Sequence, residues 1–243
     1  MYGWRAKLGL LVPAANGVCE MEFHKLISNI EGICLYTTRM GGTGKLTISS
    51  LTDMLNEVDD AAEKVAQAKV DLIVFACTTG SLVKGVGYDQ EIIKKIYQKT
   101  GIPGFSTSTA VINALKEMGI NKIAVATPYT DEVDQRVRSF LEGNGFQVLN
   151  LKGLGIVDTV ERSELSPIVA YRLAREVYNS NSEADGVFIS CMNFRTVEII
   201  ESLERDLSKP VVTSLQATVW AALRKLGIHE PINGYGKLLR EKI

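Results

Sequence analysis

Val70-Asp71-Leu72-Ile73-Val74-Phe75-Ala76-Cys77-Thr78-Thr79-Gly80-Ser81 is the stretch on which the fold turns. A short apolar run rich in β-branched residues is the mark of a strand buried on both faces of a parallel sheet. The run breaks off at a cysteine, two threonines, a glycine and a serine. In open α/β sheets ligands bind beyond the carboxyl ends of strands. A thiol and three hydroxyls therefore stand where a ligand would sit. The pattern recurs at Gly186-Val187-Phe188-Ile189-Ser190-Cys191, a second apolar strand ending in a cysteine.

Working outward, strands and helices alternate along the chain. Strands are expected over 7–12 and 32–37, followed by the Cys77 strand and a strand over 103–106. Helices are expected over 20–27, 48–69 and 89–100. In the segment 48–69, Leu51, Leu55, Val58, Ala62 and Val65 recur on one helical face. The pattern then restarts. Helix 109–118 stops at Gly119, and helix 132–144 stops at Gly145, as a C-terminal glycine allows. Strands over 121–126 and 146–151, a helix over 166–180, the Cys191 strand, a helix over 196–206, a strand over 210–214 and a helix over 217–226 complete the series. The tail from Gly227 shows little pattern.

Landmarks recur in the same order. Cys77 and Cys191 are 114 residues apart, Cys34 and Val148 likewise, Pro13 and Pro128 are 115 apart, and Pro103 and Pro210 are 107 apart. The expectation is an α/β protein of two pseudo-symmetric lobes, each a parallel sheet flanked by helices, with the site in the cleft between them. Residues 1–106 form the first lobe, with 215–243 packing back on it, and 107–214 form the second.

Composition narrows the function. The 243 residues suffice for one large domain or two small ones. A net charge of −1 offers no excess of positive charge to hold nucleic acid or an anionic membrane, so neither is expected as a partner. Apolar runs are strand-sized, far short of a membrane span. Met1 to Lys7 followed by Leu8 to Pro13 loosely imitates a leader peptide. The run is too short, ends in proline, and lacks a cleavage pattern. It reads as the first strand of a cytoplasmic protein. Four cysteines (Cys19, Cys34, Cys77 and Cys191) include no C-x-x-C pair, and there are only two histidines, so no metal site is expected. Gly85-Val86-Gly87 and Gly153-Leu154-Gly155 do not complete a dinucleotide fingerprint.

A cysteine beside an apolar strand is most often a small core residue. Two cysteines at equivalent strand ends of two half-repeats suit a different role, proton traffic at carbon. One thiolate removes a proton or attacks, and the opposite thiol supplies a proton. A free thiol ionises near 8.5, so activation calls for a lowered pKa from backbone N–H groups or a helix N-terminus, which Thr78 to Ser81 could supply. Cys19 and Cys34 have no such pairing and read as structural. Thr78, Thr79, Ser81 and Tyr129 are uncharged donors suited to a carboxylate and its enediolate. Thr78 to Ser81 also fits a capped polar turn, and Tyr129 after Pro128 fits a surface turn. Asn16 could hold a second carboxylate, or simply turn the chain before Gly17. Arg39 could act by charge but fits a surface ion pair.

With these residues in view, the chain resembles the Asp/Glu racemase superfamily, in the branch that holds maleate cis-trans isomerases and arylmalonate decarboxylases. The resemblance runs from Leu8 to about Leu239. It rests on Leu11 to Asn16, Thr37 to Met40, Ala76 to Ser81, Ser108 to Val111, Ala126 to Tyr129 and Ile189 to Cys191. It implies two pseudo-symmetric α/β lobes with one site between them and no metal or organic cofactor. It implies Cys77 and Cys191 as the catalytic pair, Thr78, Thr79 and Tyr129 as carboxylate or enediolate binders, and Asn16 as a positioning amide. Decarboxylases of the branch keep the second cysteine and typically have glycine where Cys77 stands. This chain has both thiols, as racemases and maleate isomerases do. Thr78-Thr79 resembles the hydroxyl pair of the decarboxylases, and Thr159 stands where maleate isomerases usually place an asparagine.

The expected activity is a cofactor-independent isomerase acting next to a carboxylate, like a maleate isomerase, on a small carboxylate or dicarboxylate substrate. A homodimer is the candidate assembly. A racemase or a malonate-type decarboxylase would use the same pocket, and a non-catalytic carboxylate-binding protein is the rival from another class.

Overall fold

A computed structural model describes residues 2–243. The first sheet holds β1 (Ala6–Pro13), β2 (Ile33–Met40), β3 (Leu72–Phe75) and β4 (Gly104–Ser106), in the order β2-β1-β3-β4. The second holds β5 (Lys122–Thr127), β6 (Gln147–Gly153), β7 (Gly186–Ile189) and β8 (Val211–Thr213), in the order β6-β5-β7-β8. All six strand pairings are parallel. The two orders superpose strand for strand, so the half-repeat read from the landmarks is a repeat of topology. In each sheet the strand that ends at a cysteine, β3 or β7, lies next to the first strand of its half, beside the switch point where ligands bind in such sheets.

Helices α1 (Cys19–Ile27), α2 (Ile48–Leu55), α3 (Val58–Ala66), α4 (Thr78–Leu82), α5 (Tyr88–Thr100) and α6 (Thr107–Glu117) precede β5. Helices α7 (Asp131–Gly143), α8 (Thr159–Glu164), α9 (Pro167–Ser180), α10 (Ile200–Leu207), α11 (Ser214–Lys225) and α12 (Lys237–Glu241) follow it. None is long and apolar enough to cross a membrane. The four residues of β3 and the four of β7 are all buried, as continuous apolar strands demand.

The halves meet through equivalent helices. α6 follows β4, α11 follows β8, and the two pack against each other. Ser106 caps α6 by accepting from Thr109 N–H. Thr213 and Gln216 form a reciprocal capping box on α11. The C-terminal tail is tied down at several points. Arg5 pairs with Glu230, Trp220 Nε1 donates to the Lys242 carbonyl at 2.8 Å, and α11 also touches α1.

Four local expectations change. The helical periodicity over 48–69 resolves into α2 and α3, because the Asn56 and Glu57 N–H groups turn back to Asp53 O and Met54 O. The helix expected over 196–206 starts only at Ile200. Thr196 and Val197 instead direct their N–H groups to the Glu22 carboxylate on α1. Two short helices, α8 and α12, stand where no element was expected.

Candidate active site

Cys77, Cys191, Asn16, Thr78, Thr79 and Tyr129 line one cleft with about 590 Å³ of space free of protein atoms. All six are buried. The other wall is a loop, 41–46, sewn to the second lobe. Leu46 N–H donates to Val157 O and Thr159 N–H donates to Gly44 O, both at 2.8 Å. Leu46, Leu51 and Met54 make that side apolar.

Each sulfur is met by a backbone donor. Cys77 is the N-cap of α4, and Gly80 N–H donates to its Sγ at 3.4 Å. Thr79 Oγ1 lies 3.8 Å from the same sulfur. Position 80 is close to the sulfur and the apolar wall: a Cβ there would stand 2.8 Å from Met54 Cε, which would have to shift, and 3.1 Å from Cys77 Sγ. Cys191 Sγ accepts from Asn193 N–H at 3.2 Å. Its own N–H donates to Ser214 Oγ at 3.0 Å. Cys191 has φ +128°, a conformation that side-chain-bearing residues seldom adopt. Such strain persists only where the surroundings hold it, and it gathers at functional sites.

The thiols rest protonated. Burial pushes Cys77 up to about 11, outweighing the Gly80 N–H, Thr79 and Arg162, which act to lower it; the nearby Cys191 adds to the rise. Burial also raises Cys191, against Arg162, Asn193 N–H and the Tyr129 hydroxyl beside it. The N-terminus of α4 thus acts in the expected direction, but desolvation by the surrounding protein outweighs it. Tyr129 is 1 % exposed, and burial pushes its phenol well above the usual range. Its hydroxyl accepts from Ser190 Oγ at 3.3 Å.

The hydroxyls and amide expected to meet a carboxylate are largely committed within the protein. Thr78 Oγ1 donates to Ser214 Oγ at 3.0 Å. Ser214 thereby ties the Cys77 and Cys191 segments together through one oxygen. Ser81 Oγ donates to Cys77 O and Thr78 O and braces α4. Asn16 Oδ1 accepts from Val18 and Cys19 N–H, and its Nδ2 donates to Met192 O at 3.3 Å. Asn16 therefore turns the chain and bridges the lobes, with one amide hydrogen left over. Arg39 pairs with Glu20 and donates to Ala14 O and Asn16 O, clamping that loop from outside the cleft.

Three residues of the site were not picked out from the sequence. Ser214 is one. Asn193 is the second; it bridges the lobes by accepting from Gly17 N–H and donating to Thr159 O. Arg162 on α8 is the third and supplies a buried cation to the cleft. Its only sequence signal was Asp158 with Glu161 three residues on, a helix-start pattern; Asp158 does cap α8.

The family model described as arylmalonate decarboxylase matches residues 8–239. The chain is 26% identical over 235 residues to the arylmalonate decarboxylase of Bordetella bronchiseptica, covering 96% of each. It is 25% identical over 243 residues to the maleate isomerase of Nocardia farcinica, covering 97% of this chain and 96% of that one. Among solved structures, a Nocardia farcinica maleate cis-trans isomerase mutant with a covalently bound succinylcysteine intermediate superposes with a TM-score of 0.93 at 23% identity. That match covers 97% of this chain and 98% of the other. A double mutant of arylmalonate decarboxylase in its liganded form gives 0.91 at 26% identity, covering 97% and 99%. With a match that runs through both lobes and takes in both strand-end cysteines, the chain belongs to the arylmalonate decarboxylase family, in the branch of the Asp/Glu racemase superfamily shared with the maleate isomerases.

Proposed function

We propose that this protein is a cofactor-independent cis-trans isomerase acting on an alkene carbon next to a carboxylate, like the maleate isomerases it is similar to. The observation that carries this is the pair of thiols in one cleft, each with a backbone N–H aimed at its sulfur. Cys77 is the nucleophile. Having lost its proton to water, it adds as thiolate to one alkene carbon, and the π electrons move onto the adjacent carboxylate as an enediolate. Cys191 gives its proton to the other alkene carbon, leaving a saturated adduct on Cys77. Rotation about the new single bond follows. Cys191 then takes the proton back, the carbon–sulfur bond breaks, and the trans acid leaves with the Cys77 thiolate and the Cys191 thiol regenerated.

The N–H of Gly80 and Thr79 Oγ1 stabilise sulfur charge at Cys77. Tyr129, whose oxygen faces Cys191, is the donor to the enediolate. Thr78 acts through Ser214 to hold the two cysteine segments, and Asn16 positions substrate with its remaining amide hydrogen. Residues 1–106 with 215–243, and residues 107–214, are the two halves that bring these groups together. Its four free cysteines suit action in a reducing cytoplasm.

A racemase would use the same thiols as opposed acid and base, and the pseudo-symmetry of β3 and β7 favours it as the second reading. Proton NMR in D₂O decides between them. Isomerisation converts maleate to fumarate, whereas racemisation exchanges the α-proton of a chiral acid with no change of connectivity. The expected result is fumarate from the wild type and none from Cys77→Gly. No turnover of maleate by folded wild-type protein sinks the isomerase assignment.

A further inference from the structure

Arg162 is 3 % exposed and lines the same cleft as both cysteines. Its guanidinium is held from one side by neutral oxygens. Nη1 donates to Ile156 O at 3.1 Å and Val157 O at 3.5 Å, and Nη2 donates to Thr159 Oγ1 at 2.7 Å. Its Nε is buried with no acceptor. Among the described residues no carboxylate forms an ion pair with it. A buried cation without a counter-charge is unfavourable unless something else compensates it. The thiols facing it do not, because they rest neutral.

The neutral groups do not fill this role. Thr78 is spent on Ser214, and Asn16, held by its own turn and Met192, keeps one amide hydrogen but carries no charge. The opposite wall, Leu46, Leu51 and Met54, has no charge to offer. Lys45 also lines the cleft, but it is exposed, so water and salt already screen it. We infer that Arg162 is a specificity-determining residue that binds an anionic oxygen group, a carboxylate, on the substrate in addition to the carboxylate next to the reacting carbon. The guanidinium is pre-set by the Ile156, Val157 and Thr159 oxygens, so it meets a ligand with little loss of rotamer freedom. A neutral amide or ester at that point would leave the cation uncompensated, and such analogues are rejected. This inference deepens the isomerase assignment by naming the group that selects a dianion.

The test is binding, read apart from turnover. Maleate and its monoamide are titrated by calorimetry into wild type, Arg162→Met, Arg162→Lys and Lys45→Met, with circular dichroism on each. A charge-assisted hydrogen bond in a buried site predicts that wild type prefers maleate about tenfold to a hundredfold. Arg162→Met brings that ratio near one chiefly by weakening maleate, Arg162→Lys retains part of it, and Lys45→Met costs less than Arg162→Met. The inference is overturned if wild type binds neither ligand or shows no preference, if Arg162→Met keeps the ratio, or if Lys45→Met costs as much. If Arg162→Met does not fold, wild type and Arg162→Lys still decide it, since a planar fork replaced by an ammonium must lose part of the preference. Maleate turnover by wild type is followed separately. Turnover with an unchanged ratio in Arg162→Met sinks Arg162 and spares the isomerase; an Arg162-dependent ratio without turnover does the reverse.

Discussion

The pH dependence of Cys77 alkylation tests the electrostatics of the site directly. Burial holds this thiol up to about 11 in spite of Gly80 N–H, Thr79 and Arg162. At pH 7 the thiolate fraction is then about 10⁻⁴, and at pH 9 about 10⁻², whereas a free thiol with a pKa near 8.5 is about 3 % ionised at pH 7. The thiolate is the reactive form, so Cys77 reacts about 300-fold more slowly at pH 7 than a cysteine in an unstructured peptide from ionisation alone, with access through the cleft adding a factor that does not vary with pH. The assay is timed iodoacetamide labelling of the empty protein from pH 7 to 10. Peptide mass spectrometry separates Cys77 from Cys19, Cys34 and Cys191, and circular dichroism at each pH confirms folding. The expected log rate for Cys77 climbs by about one per pH unit across the whole range. A plateau beginning at pH 8 or 9 refutes the reasoning, because it shows that the α4 N-terminus outweighs desolvation.

Three further expectations rest on other groups. Burial raises Glu22 to about 8 from 4.5, with the Thr196 and Val197 N–H groups partly opposing it. Its contribution to stability is therefore full below about 4.5 and is lost as pH rises through 8. Urea unfolding should show Glu22→Gln gaining on wild type from pH 5 to about 8 and levelling off above it, and a constant difference would assign Glu22 an ordinary ionisation. Ser214→Ala strips the acceptor from Thr78 Oγ1 and Cys191 N–H, so the midpoint of urea unfolding should fall by an amount worth about 1–3 kcal/mol; an unchanged midpoint would mean that water replaces the hydroxyl. Tyr129→Phe should cut maleate turnover roughly a hundredfold with little change in melting temperature, and full turnover would make Tyr129 a packing residue.

The fold was legible because its signals are local. Apolar strands buried on both faces leave continuous hydrophobic runs, and the paired landmarks expose the repeat without any knowledge of contacts. The breaks were not legible because they are set by distant partners. Leu55 and Val58 keep the helical period across the α2–α3 turn, while the Glu57 carboxylate accepts Gly41 N–H at 2.6 Å from a different loop. α10 starts late because Glu22 of the other half takes the N–H groups of Thr196 and Val197. Within the site, the cysteines and Tyr129 were visible as reactive groups at strand ends. Arg162 was not, since an arginine on a six-residue helix reads as a solvated charge until the fold turns it inward. Thr78 and Asn16 line the cleft as expected, but the Thr78 hydroxyl is given to Ser214 and only one amide hydrogen of Asn16 is uncommitted.

The two cysteines occupy equivalent strand ends but not equivalent backbones, and that asymmetry leads to one more prediction. Cys77 has φ −143° and ψ 110°, ordinary extended values, and hands the chain directly to α4. Cys191 has φ +128° and is followed by a non-helical turn, with α10 delayed to Ile200. A non-glycine residue in such a conformation costs about 1–3 kcal/mol. Glycine would release that strain, offset by its own unfolded-state entropy of roughly 0.5–1 kcal/mol. Cys191→Gly should therefore leave the protein as stable as wild type or more so, by up to about 2 kcal/mol, while abolishing isomerisation for want of the proton donor. The same exchange at Cys77 has no strain to release and removes the cap that Gly80 N–H uses, so Cys77→Gly should be neutral or destabilising. Urea unfolding of the two variants side by side reads the difference. If Cys191→Gly is the less stable of the pair, the strain at Cys191 is not being held by the protein for the sake of its sulfur, and the strand-end geometry needs another cause.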